Sequence, residues 1–254
     1  MTSGWWKGLV APAALIAAAE IAMRVWGSAS MSLAAPSDIA VALAKGLADG
    51  SVLHATGQTL AAAGAGLALG GLAGLAIGVL FGLVRTVDRL MEVTVEAIRP
   101  IPSVAILPLA MLMFGFGYSM EIAIVAFSCL WPIMIYTRSA MAGIEPRLME
   151  VSRALGLSSW DRIVKIVLPA ALPRILLAFR LAAAIALVVA VTVEIAINPL
   201  GLGYGILVAQ QGLQPDLMLA YLAWIGIVGW AVNALMLVAQ QRLFGRAAMA
   251  EAAQ

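Results

Sequence analysis

Six stretches of this 254-residue chain stay apolar over about the twenty residues that a helix needs to cross a hydrocarbon core. They fall at approximately 8–26, 57–84, 93–117, 120–137, 174–197 and 217–241. Lipid offers no water to pair a free amide or carbonyl, so each stretch has to close its backbone hydrogen bonds internally, as a helix. The expected fold class is an all-α membrane protein of six transmembrane helices, a single domain over 1–254. Composition agrees, since 63% of residues are hydrophobic, 11% are charged and the mean hydropathy is +1.03, far from the balance of a soluble domain.

Lys7, the apolar run after it and Gly27-Ser28-Ala29-Ser30 have the parts of a cleaved signal peptide. The run from Gly8 to Trp26 is nevertheless long enough to span, and Glu20 and Arg24, four apart, can pair on one helix face. A retained helix is expected. Between the first two runs, Pro36-Ser37-Asp38 followed by Ile39, Val41, Leu43 and Leu47, with Asp49-Gly50 as a stop, reads as a short capped helix at the interface.

Basic residues in short loops mark the cytoplasmic side. Lys7, Arg85, Arg89, Arg138, Arg147, Arg153, Arg162, Lys165, Arg174, Arg242 and Arg246 fall on one side, Arg24 and Lys45 on the other, with Arg99 and Arg180 set aside as membrane-embedded. Both termini and the 138–173 loop are therefore expected in the cytoplasm. Gly66, Gly70, Gly74, Gly78 and Gly82 repeat every four residues and form a small-residue ridge suited to close helix packing. In the third run, Arg99-Pro100-Ile101-Pro102 and Pro108 remove backbone donors, which predicts a broken helix facing protein or water.

Several chemistries lack the residues they need. The single cysteine, Cys129, can form neither an intramolecular disulfide nor a thiolate metal site, and one histidine, His54, cannot build a zinc centre. Bases are scattered singly among nearly as many acids, which leaves no nucleic-acid surface. The chain has no hydrolase elbow, no zinc-protease motif and no phosphate-binding loop, so neither enzyme chemistry nor ATP hydrolysis is expected on it. Glu20, Glu96 and Glu194 stand as the intramembrane acids and do not form the relay of a proton-coupled carrier.

The 138–173 loop is long for a compact helical membrane protein unless it docks something. Its sequence predicts two short helices. Pro146 starts the first, Gly156 caps it, Ser158 with Asp161 opens the second, and Leu168-Pro169 ends it. Leu155, Leu157, Trp160 and Ile163 among charges suit either a knob for a groove on a partner or a helix pair lying on membrane lipid.

Glu150, Gly156 six residues later, then Ile166 and Leu168-Pro169 reproduce the spacing of the EAA motif, so the loop resembles that of bacterial ATP-binding-cassette (ABC) importer permeases. Val151 and Ser152 replace the motif's two alanines. Arg99-Pro100-Ile101-Pro102-Ser103-Val104-Ala105-Ile106-Leu107-Pro108-Leu109, with Phe114-Gly115 after it, and Glu194 followed by Gly201-Leu202-Gly203-Tyr204 are similar to the nitrate, sulfonate and taurine permeases. The Pro36-Ser37 segment is similar to their first periplasmic loop, although Asp38 stands where a second proline is common.

That resemblance implies the type I importer permease fold in the bacterial inner membrane, carrying a small anionic solute such as a sulfonate, taurine or nitrate. It implies a homodimer, an ATPase dimer that holds the ATP and magnesium, and a periplasmic substrate-binding protein, with no cofactor or metal on this chain. Glu150, Ala154, Leu155, Gly156, Leu157, Ser158, Trp160, Ile163, Ile166, Leu168 and Pro169 would couple to the ATPase, while Arg99, Pro102, Pro108 and Glu194 would lie on the translocation pathway. An importer of the same build for a thiamine precursor or an aromatic acid, and a stand-alone secondary carrier, are the alternatives.

Overall fold

A computed structural model describes residues 7–26, 33–144 and 146–251 of the chain. Gly27-Ser28-Ala29-Ser30 and Glu145 lie outside the described residues. The helices run α1 (Lys7–Trp26), α2 (Pro36–Ala48), α3 (Ser51–Leu83), α4 (Arg85–Ile98), α5 (Leu107–Phe114), α6 (Tyr118–Ala142), α7 (Pro146–Ala154), α8 (Ser159–Arg162), α9 (Leu168–Ala196), α10 (Gly201–Gln211) and α11 (Pro215–Glu251). A 3₁₀ turn, Ser103–Ile106, precedes α5, and a π-helical turn, Ile163–Val167, joins α8 to α9.

The glycine ridge sets the centre of the bundle. A Cβ on Gly70 would run into the Ala126 main chain, and one on Gly74 or Gly78 would come within 2.6 Å of the Leu130 or Met134 carbonyl oxygen. Only a bare Cα lets α3 lie this close to α6. Both sides of the register advance by four residues together, so α3 and α6 run in the same direction. The chain between them has to return across the same thickness, and α4 with the Ser103–Phe114 segment does so as a pair bent by 80°. Pro100 and Pro102 lie in the break, where Pro102 caps the 3₁₀ turn in extended conformation, and Pro108 sits in the first turn of α5.

α9 closes the core antiparallel to α6. Ala140 and Met141 pack with Val167 and Ala171 at one end, Cys129 donates to the Ala182 carbonyl at 3.5 Å in the middle, and Met120 and Ile124 pack with Val193 at the other. By length and apolarity four helical stretches can cross a membrane: Ser51–Leu83, Tyr118–Ala142, Ser159–Gln211 and Pro215–Arg242, with a fifth if the bent pair is one span.

The helix around 36–48 forms as expected, but its cap comes from elsewhere. Ala35 has no side-chain acceptor to offer, and Glu20 of α1 accepts from the Ser37 amide at 3.0 Å and hydroxyl at 2.8 Å while pairing with Arg24. Gly50, at φ +81, turns the chain into α3, and the Ser51 hydroxyl and amide hold the Asp49 carboxyl below its usual range. Two expectations change. Leu168-Pro169 does not end the second loop helix: helical backbone runs from Ser159 into α9, and the π turn, in which the Leu168 amide reaches back to Ile163, stands where Pro169 lacks a donor. The 198–216 region, which lies between two of the expected spans, contains the helix α10.

The ridge yields a paired prediction. Gly70→Ala, whose Cβ meets main chain that cannot yield, is expected to cost about 1–3 kcal/mol and to lower the thermal unfolding temperature in detergent. Gly64→Ala, whose Cβ meets nothing within 4 Å, should leave it unchanged or raised. Equal behaviour of the two variants would remove the ridge as the packing determinant.

Candidate functional site

The 146–168 segment is built by local rules. α7 stops because Gly156 takes φ +65, and the Leu157 amide then bonds back to the Ser152 carbonyl at 3.1 Å, the long-range closure of a Schellman cap. Ser158 opens α8 by accepting from the Asp161 amide at 3.1 Å and donating to its carboxylate at 2.6 Å, and Lys165 pairs with Asp161 at 2.6 Å. The bend sorts the side chains. Trp160 and Leu155 are 73% and 68% exposed, large apolar groups left largely uncovered by the described residues. Glu150, Ala154, Gly156, Ser158 and Pro169 are exposed too, whereas Leu157, Ile163, Ile166 and Leu168 are half-buried, Leu168 against the Ala140–Val167 cluster.

Glu150 lines a cavity of about 670 Å³ together with Arg85, Arg89 and Arg138, and forms no ion pair among the described residues. At the base of that cavity Arg138 grips Asp88 through two nitrogens, at 2.6 and 2.8 Å, tying α6 to the start of α4. The segment thus stands on a charged seat and presents an apolar tip.

At the opposite end of the bundle lies a second polar assembly. The first three amides of α10 have no partner within their own helix, and each meets a side chain from another element: Gly201 donates to Gln58 Oε1 at 2.9 Å, Leu202 to Thr59 Oγ1 at 2.9 Å and Gly203 to Glu194 Oε2 at 2.8 Å. A Cβ at Gly201 would overlap the Glu194 carboxyl, and one at Gly203 would meet the Val191 carbonyl, so both positions need glycine. Asn198, fully buried, bridges further. It donates to Glu121 Oε2 at 2.6 Å and accepts from the Gly117 amide at 3.1 Å.

Glu121 and Glu194 are each 1% exposed, and their carboxyl groups meet. Glu121 corrects the sequence reading of the intramembrane acids. It stands in the first turn of α6, where an acid reads as a dipole partner at a helix end, and only the fold shows it packed against Glu194. Gln58 and Thr59 left a fainter signal, two adjacent polar residues opening the apolar run of α3. Of the residues assigned to a pathway, Glu194 is enclosed in this assembly, while Arg99, Pro102 and Pro108 are exposed along the bend between α4 and α5.

Asn198→Ala would strand a part-buried amide and a buried carboxyl at once. It should lower stability by about 2–3 kcal/mol, read as a fall in the thermal midpoint, and an unchanged midpoint would show that the assembly is not a structural lock.

The family described as binding-protein-dependent transport system inner membrane component matches residues 66–248. An aliphatic sulfonates transport permease protein of Bacillus subtilis is 30% identical over 248 residues, 94% of this chain and 87% of that protein. Its namesake from Escherichia coli is 31% identical over 218 residues, 86% of this chain and 83% of that protein. Among solved structures, the inward-facing MetNI methionine ABC transporter aligns with a TM-score of 0.64 at 23% identity, over 75% of this chain and 93% of the matched chain, a likeness of fold.

Proposed function

The chain belongs to the family of binding-protein-dependent transport system inner membrane components, and from that premise we propose that it is the permease subunit of an ABC importer for a small anionic solute of the sulfonate, taurine or nitrate kind. ATP hydrolysis, with its magnesium, resides on a separate ATPase dimer. Two copies of this chain stand side by side, and a periplasmic binding protein delivers the solute. The relatives named for aliphatic sulfonates support the substrate class.

One observation carries the mechanical part of this reading: the Gly156 bend sets Leu155 and Trp160 outward as an apolar tip on a charged seat, the form of a knob for a partner's groove. In this reading closure of the ATPase dimer pulls the two tips together, and the bundle swings between inward and outward access as rigid bodies. Six spans follow when α1 and the bent α4–α5 pair each cross once. Both termini and the 138–173 loop then lie in the cytoplasm, where the basic residues gather. An importer of the same build for another small organic solute is the alternative, and it would pair with a different binding protein.

Purification from the native membrane in mild detergent is expected to bring an ATPase with this chain, two copies of each. Recovery of the chain alone, still transporting solute, would refute the importer reading. In the reconstituted complex Gly156→Pro, which cannot adopt φ +65, should cut ATP-driven uptake by about tenfold or more while the chain still inserts. Normal uptake by that variant would remove the loop from the mechanism.

A further inference from the structure

Residues of α9 and α11 line a trough of about 420 Å³. Arg180 and Asn233 stand at one end and Thr192 near the other, roughly 18 Å along α9 at 1.5 Å per residue. The walls between are aliphatic, Val188 and Val232 among them, and Gly226 and Gly229 keep the α11 side open. Arg180 donates through Nε to Asn233 Oδ1 at 2.9 Å, which orients its planar fork. No carboxylate pairs with it among the described residues, whereas Arg24 has Glu20 and Arg138 has Asp88.

A guanidinium in a membrane span is costly unless something answers its charge, and an intramembrane cation facing a cavity marks a ligand path. Here the remaining N–H donors suit a planar or tripodal oxyanion, because guanidinium geometry matches such groups. Aliphatic walls offer nothing further to a bare inorganic anion, yet they remove an alkyl chain from water at about 25 cal/mol for each Å² covered. Arg180 lies six residues inside the expected 174–197 span, about 9 Å below its cytoplasmic edge, and a lipid headgroup bound there instead of solute would leave solute uptake unchanged in Arg180→Gln.

Resting on the importer reading above, we infer that Arg180 and Asn233 form the anion-binding end of a solute site on the translocation pathway, and that the trough beyond them selects an aliphatic sulfonate-like anion by its tail.

The test uses the complete importer in proteoliposomes, with one binding protein throughout, and straight-chain alkanesulfonates from methanesulfonate to hexanesulfonate. Arg180→Gln should reduce sulfonate uptake about tenfold or more, with Arg180→Lys recovering part of it. Gly226→Leu addresses the tail. A Cβ at that position meets nothing within 4 Å and Gly226 lines the trough, so the larger side chain should narrow it, and hexanesulfonate uptake should fall about tenfold relative to methanesulfonate. Wild-type kinetics in Arg180→Gln, or an unchanged chain-length profile in Gly226→Leu, would overturn the site. Should Arg180→Gln not assemble, the Gly226→Leu profile decides alone. Uptake of nitrate without any sulfonate would overturn the site and leave the importer standing, whereas absence of an ATPase partner would take down the importer reading itself.

Discussion

The approach of α3 to α6 across bare glycine is the constraint on which the rest of this bundle depends. Main chain touching main chain leaves no room for sliding, so the two helices are locked in register and in direction. With both pointing the same way, the intervening segment has to double back, and it does so through a bend at the prolines rather than a straight helix. α9 then fills the groove that the pair leaves, which is why its inner face is a run of alanines, Ala178, Ala182, Ala186 and Ala190, too small to push the ridge apart.

At one end of this frame a second device turns local deficits into long-range ties. The unpaired amides that begin α10 and the missing cap of α2 are each satisfied by a side chain from another helix: Gln58, Thr59 and Glu194 in the first case, Glu20 in the second. A soluble protein can leave such groups to water. In lipid an orphan amide costs several kcal/mol, so the donors pull distant polar side chains to themselves and thereby fix how the helices end.

What could be read from the amino-acid order alone follows the same division. The apolar runs, the glycine ridge, the proline break and the Gly156–Ser158 turn were legible because each is a local rule written in neighbouring residues. Glu121, Asn198 and Thr59 were not, because their significance is a meeting of residues far apart in the chain. Glu194 with Gly201 and Gly203 is visible as a pattern but not as a cause, and the structure supplies one: a carboxyl group caps a helix, and only glycine leaves it space. Pro169 reads as a stop, yet the backbone widens by one residue ahead of it and the helix continues.

The glycine ridge also bears on how such chains diverge. At Gly70, Gly74 and Gly78 the nearest atom across the interface is a main-chain oxygen of α6, not a side chain. Substitutions on α6 at Ala126, Leu130 or Met134 leave that oxygen where it is, so they need no compensating change on α3. This contact therefore constrains α3 to glycine without involving the α6 side chains at those positions, and it gives a covariation search no paired substitution to find.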